Sequence, residues 1–190
     1  YFSLFTLKKI FENFNLEIFD VKEILVHGGS LRLFLKLSKN KEISINENVE
    51  KLLKKERDYG LQEISTYLKF QKNVENSKKK IQEFFIKAKE EEKQIVCYGA
   101  AAKGNTVLNY CKISKNDINY VVDISPHKQG KFMPGTHIPI FAPEKIKETK
   151  PDYIVILAWN LKDEIIQQIN FIKDWGGKFV VLIPEVKILN

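Results

Sequence analysis

The segment Gln94-Ile-Val-Cys-Tyr-Gly-Ala-Ala-Ala-Lys-Gly-Asn-Thr106 constrains the fold of this chain more than any other. Ile95, Val96, Cys97 and Tyr98 form a short apolar run with the character of a buried strand. Gly99 permits a sharp turn at its end. Ala100, Ala101 and Ala102 carry almost no side chain, so another backbone or a ligand can approach closely. A helical pattern resumes over Thr106–Tyr110. Strand, tight turn and helix start in that order aim backbone N–H groups and a helix N-terminus at one point, where a phosphate or other anion is favoured. Gly99 and Gly104 match the outer glycines of the dinucleotide pattern G-x-G-x-x-G, but Ala101 replaces the middle one. The segment also reads as a plain βα turn that holds no ligand.

The remainder of 94–190 repeats the theme. Strands are predicted at Ile118–Val122, Ile138–Phe141, Tyr153–Ala158 and Lys178–Ile183. Helices are predicted at Pro143–Thr149, opening with proline, and at Lys162–Trp175, stopped by Gly176-Gly177. Nearly continuous apolar strands alternating with helices predict an α/β fold, a Rossmann-like parallel sheet covered on both faces. Before it, 46–93 is rich in Lys and Glu. Leu52 and Leu53 mark one helix, Tyr59-Gly60 a break. Apolar residues then recur at three- and four-residue steps from Leu61 to Ala88, as in a long amphipathic helix connecting two domains. Residues 1–45 read as a helix over Leu4–Phe14, a strand over Leu16–Leu25, a turn, and a return strand over Ser30–Leu37. That set is too small to stand alone and is expected to be the tail of a larger α/β domain.

Composition narrows the function classes. The chain has 190 residues and a formal net charge of +7. Its lysines are interleaved with glutamate over Glu47–Lys93, and Arg32 and Arg57 are the only arginines. The charge therefore predicts solvated helix faces and an anionic small ligand before a nucleic acid. Cys97 and Cys111, the only two cysteines, form neither a zinc spacing nor a disulfide framework, which suits a reducing cytoplasm. No apolar run approaches the ~20 residues of a membrane span. The chain opens at Tyr1, and Met133 is its only methionine. A piece of a longer protein is expected.

In a parallel sheet of this kind ligands lie beyond the carboxyl ends of the strands. The residues predicted there are Gly99, Ala100, Ala101, Ala102, Lys103, Gly104, Asn105 and Thr106, then Asp123, Ser125, His127, Lys128, Lys131 and Pro134, and finally Asn160. Lys103, Lys128 and Lys131 could neutralise a diphosphate, and Asn105, Thr106, Ser125 and Asn160 offer hydrogen bonds. Asp123 sits near the position of a ribose-binding acid, roughly 20 residues after the glycine turn; it reads equally as a turn cap after its strand. His127 and His137 have no second ligand at metal spacing. No paired carboxylates and no Ser/His/Asp order are present, so a binding site without catalytic residues or metal is expected.

Three segments resemble the S-adenosylmethionine-dependent sugar C-methyltransferases of deoxysugar biosynthesis. They are Tyr98-Gly-Ala-Ala-Ala-Lys-Gly-Asn-Thr-Val-Leu-Asn109, Val122-Asp-Ile-Ser-Pro-His-Lys-Gln-Gly-Lys-Phe-Met-Pro-Gly-Thr-His-Ile-Pro-Ile140 and Ile156-Leu-Ala-Trp-Asn160. Tyr1-Phe-Ser-Leu-Phe5 and His27-Gly-Gly-Ser-Leu-Arg32 also look like the end of that family's methyl-donor domain. The resemblance implies that 1–45 is the remnant of a class I methyltransferase domain, 46–93 a helical connector and 94–190 a Rossmann-like domain binding a nucleotide sugar, typically a dTDP sugar. It further implies that S-adenosylmethionine, the catalytic Tyr/His/Glu cluster and a small zinc-binding domain belong to sequence upstream of Tyr1. What carries over is the substrate side, Gly99–Thr106 and Asp123–Pro134. The expected function is therefore the C-terminal, substrate-binding part of such a methyltransferase, inactive alone. The alternative is a nucleotide-sugar or NAD-binding module with no methyl transfer. Apolar surface around Leu31, Leu33 and Leu35 is a candidate dimerisation face. No membrane or nucleic-acid partner is expected.

Overall fold

The computed structural model describes residues 2–189; Tyr1 and the side chain of His27, both quoted above, lie outside the described residues. In chain order the elements are α1 (Leu4–Glu12), β1 (Leu16–Ile24), β2 (Ser30–Leu37), α2 (Glu47–Tyr59), α3 (Ile64–Glu90), β3 (Ile95–Tyr98), α4 (Ala102–Cys111), β4 (Tyr120–Val122), β5 (Ile140–Phe141), α5 (Lys145–Thr149), β6 (Tyr153–Ile156), α6 (Lys162–Gln168), β7 (Lys178–Val181) and β8 (Lys187–Leu189). The chain divides into two compact units, Tyr1–Lys72 and Asn73–Asn190. The division falls within α3.

In the first unit β1 and β2 form an antiparallel hairpin. A bulge between Ile18 and Asp20 puts Ile18 and Val21 on the same buried face, which strict alternation would forbid. Leu4 of α1 and Val49, Leu52 and Leu53 of α2 complete that core. So α2, expected to begin the connector, shares its core with the hairpin. The amides of Leu4 and Phe5 donate to the carboxylate of buried Glu56 at 2.6 and 2.9 Å. Glu56 thereby satisfies the amino end of α1 from a distant part of the sequence. Gly60, at a φ of 81°, ends α2 in the left-handed region, where a side chain would be strained.

The second unit is built on a six-stranded sheet in the order β5-β4-β3-β6-β7-β8. The first five strands run parallel, and β8 pairs antiparallel with β7. Side chains alternate between two apolar layers. Cys97, Val121, Val155 and Val180 meet Ile81, Phe85 and Ala88 of α3 and Leu108 of α4. Val96, Val122, Ile154, Ile156 and Phe179 meet Ile146 of α5 and Ile165 of α6. The predicted doubly covered α/β sheet is what forms.

Details differ where pairing, rather than composition, decides. Ile138 was expected to open a strand but accepts the Met133 N–H across a small hairpin instead, which leaves only Ile140 and Phe141 to pair with β4. The helix expected over Lys162–Trp175 is α6 followed by a 3-10 segment, Asn170–Trp175. β8 was not anticipated, because three residues at the chain end carry too little periodicity to be read.

Counted from β3, the strand order is the 3-2-1-4-5-6 of doubly wound folds, and it reverses between β3 and β6. There α4 lies close on the sheet. A Cβ added to Gly104 would stand 2.5 Å from Cβ of Leu157, and one on Gly99 would stand 3.3 Å from Cβ of Ala158. Gly104→Ala is expected to destabilise the second unit by about 1–3 kcal/mol through overpacking, measured as a lower urea midpoint. Glu56→Ala is expected to remove about 2–3 kcal/mol from the first unit, because two helix-end amides lose a charged acceptor. Denaturation followed by a probe in each unit separates the two effects.

Candidate functional site

At the end of β3, Gly99 takes a φ of 91°, which turns the chain so that Ala101 becomes the N-cap of α4. Alanine has no acceptor to offer, so the first turn of α4 receives no side-chain cap. The amide of Asn105 already donates to the carbonyl of Ala101 at 2.9 Å. The helix therefore starts at Ala102, a turn before the expected Thr106, because Ala and Lys are strong helix formers and one glycine does not outweigh them. The expected loop Gly99–Thr106 is in fact a turn of Gly99, Ala100 and Ala101, with Ala102, Lys103, Gly104, Asn105 and Thr106 on the helix.

Asp123 follows β4 and is 6% exposed. Its carboxylate accepts three hydrogen bonds: the Ala100 N–H at 2.7 Å, the Ser125 N–H at 2.9 Å and the Lys128 ammonium at 2.9 Å. Its backbone carbonyl accepts Gln129 Nε2 at 2.9 Å. Of its two sequence readings, ribose acid or turn cap, these bonds are those of a cap. Lys128 remains 45% exposed along its side chain, a cation tethered at the surface by a buried anion.

Downstream, the chain forms a tight excursion before β5. The Ile140 amide donates to the Lys131 carbonyl, and Met133 and Ile138 pair at 2.8 Å. His127, Lys131 and Pro134 are exposed on it. Its tip rests on α4: Asn109 Nδ2 donates to the carbonyls of Pro134 and Asn105 at 3.1 and 2.9 Å. A side chain on Gly135 would collide with Asn109 Oδ1. Two buried polar atoms in this part of the unit, Asn105 Oδ1 and Thr136 Oγ1, have no hydrogen-bond partner. Asn109 and Thr136 were not anticipated from the sequence. Asn109 could have been found, since it lies one turn after Asn105 on the same helix face; Thr136 carries no local signal.

Across the strand reversal, β6 leads through Leu157 and Ala158 into a 3-10 segment, Trp159–Leu161, which leaves Asn160 exposed. Gly99 packs on Ala158, so the glycine turn and the start of this segment are neighbours, and Asp123 joins the Lys128 segment to the turn. The array offers amides, amide side chains and lysines. Burial pushes the Cys97 thiol well above its usual range, and burial likewise raises Cys111. Burial, then the charges of Asp123 and Glu144, raises the phenol of Tyr98, whose hydroxyl meets Gln168 at 3.1 Å. These groups stay protonated at neutral pH. Among the described residues no group of His, Cys, Asp or Glu is arranged to hold a metal ion. No helix among them is long and apolar enough to cross a membrane.

The chain is 35% identical to C-methyltransferase NovU of Streptomyces niveus over 190 residues, all of this chain and 45% of that protein. It thus spans about half the length of the curated relative it matches. Among solved structures it is similar to UDP-D-quinovosamine 4-dehydrogenase from Vibrio fischeri, with 18% identity, a TM-score of 0.38, and 52% of this chain and 93% of that one covered. The family model for the C-methyltransferase C-terminal domain matches residues 25–184, most of the sequence. The chain therefore belongs to the C-methyltransferase C-terminal domain family.

Proposed function

We propose that this chain is the substrate-binding part of a methyltransferase that moves a methyl group from S-adenosylmethionine to a carbon of a nucleotide-linked keto-deoxysugar. The residues proposed to hold the sugar nucleotide are Gly99–Thr106, Asp123–Pro134 and Asn160. In this reading the uncapped first turn of α4 takes the diphosphate. Lys103, Lys128 and Lys131 supply countercharge, and Asn105, Thr106, His127 and Asn160 meet polar groups of the sugar or nucleoside. The hairpin with α1 is read as the end of the methyl-donor domain, and the compartment as the cytoplasm.

The observation that supports this reading over a dinucleotide site is the state of Asp123. Dinucleotide folds place an acid there to accept from a ribose hydroxyl. In this chain both oxygens are engaged by Ala100, Ser125 and Lys128. Asp123 is therefore not the free acid that an adenosine ribose, of NAD or of S-adenosylmethionine, would call for. The work of the site residues is to bind and orient the acceptor.

Titration calorimetry of the 190-residue chain with a dTDP sugar, NAD and S-adenosylmethionine tests this. Binding of the dTDP sugar alone is expected, with a dissociation constant of about 10 μM to 1 mM, a free energy of roughly 4–7 kcal/mol. No methyl transfer by the chain by itself is expected. A preference for NAD would favour the dinucleotide module, and methyl transfer by this chain would overturn the division of labour proposed here.

A further inference from the structure

We infer that Asp123 is a positioning residue: it locks the Gly99–Ala101 turn in place and presents the Lys128 ammonium to the ligand's diphosphate without touching the ligand itself. This rests on the sugar-nucleotide reading of the site and assigns roles within it. One carboxylate joins a turn distant in sequence to two groups of its own segment. The turn after β3 reaches it through Ala100 N–H, the end of β4 through Ser125 N–H, and the following segment through Lys128 Nζ. Gln129 Nε2 on the Asp123 carbonyl ties that segment a second time. The carboxylate is only 8% exposed, so its charge is compensated by these donors and little by water.

The asymmetry of the ion pair carries the assignment. Lys128 is 45% exposed while its partner is buried, so the ammonium has donors left for a second anion approaching from solvent. A lysine alone at the surface would sample many rotamers. Held at 2.9 Å by Asp123, it meets a diphosphate with most of that ordering already done. The same carboxylate occupies Ala100 N–H, which leaves the first-turn amides of α4 as the backbone donors for the ligand. Asn105, on that turn, adds a buried Oδ1 with no partner in the protein, an acceptor suited to a ligand hydroxyl or amide.

A double-mutant cycle on the 190-residue chain tests the role, with thymidine diphosphate as the probe and calorimetry as the readout. Asp123→Asn and Lys128→Met are each expected to weaken binding about tenfold, and the double variant by no more than about twofold beyond either, because Lys128 acts only while Asp123 holds it. Amide hydrogen exchange supplies a readout independent of ligand. Exchange at Ala100 is expected to rise at least about tenfold in Asp123→Asn and to stay unchanged in Lys128→Met. Asp123→Glu, which keeps the charge but moves it, runs through the same cycle in case Asp123→Asn does not fold. An additive cycle, or binding unchanged or tightened by Asp123→Asn, overturns the positioning role while the wild-type chain still binds the probe. Absence of thymidine diphosphate binding by the wild-type chain overturns the sugar-nucleotide reading instead.

Discussion

The second unit depends on how closely α4 can lie on the sheet. Gly104 brings the helix backbone against Leu157, and Gly99 brings the turn against Ala158. Both contacts fall where the strand order reverses between β3 and β6. Because neither position has room for a Cβ in ordinary contact, the approach is set by backbone, and the amino end of α4 is held at a defined point on the carboxyl edge of the sheet. The rest of the candidate site is arranged around that point. Asp123 ties the turn to the next strand. Asn109 ties the helix to the excursion that leads into β5.

This explains how a site with an incomplete glycine pattern can still be ordered. In the full pattern the middle glycine lets a pyrophosphate approach the backbone. Ala101 adds one methyl group at that place, and the amide that would point to the ligand just before it, that of Ala100, is turned instead onto Asp123. Backbone donors are thus divided between an internal anion and whatever the helix end meets. The segment that carries this division lies within residues 25–184, the part matched to the C-methyltransferase C-terminal domain.

Much of the fold was legible because the chain is locally consistent. The apolar runs at Ile95–Tyr98 and Tyr153–Ile156 are too continuous for a surface strand and became the central pair of the sheet. Gly60 and Gly176 both end helical segments in the left-handed region, as their positions suggested. Ile18 and Val21 were less legible, since their common face depends on a bulge, and a bulge is set by pairing with β2. The start of α4 was misplaced by a turn because a run of small residues reads equally as loop or helix until the Ala101–Asn105 bond is formed.

By itself the sequence determined the layered α/β class, the order of strands and helices along the chain, and the cluster of small, basic and amide residues at the strand ends. These follow from burial periodicity and turn chemistry, which act over a few residues. Only the tertiary structure decided that Asp123 is engaged, that Glu56 caps a helix fifty residues away (Leu4 and Glu56 lie 52 apart), and that α2 packs on the hairpin. The reason is common to all three. Each is a contact between segments distant in sequence, where a charged or apolar group has several locally equivalent partners and long-range packing selects one.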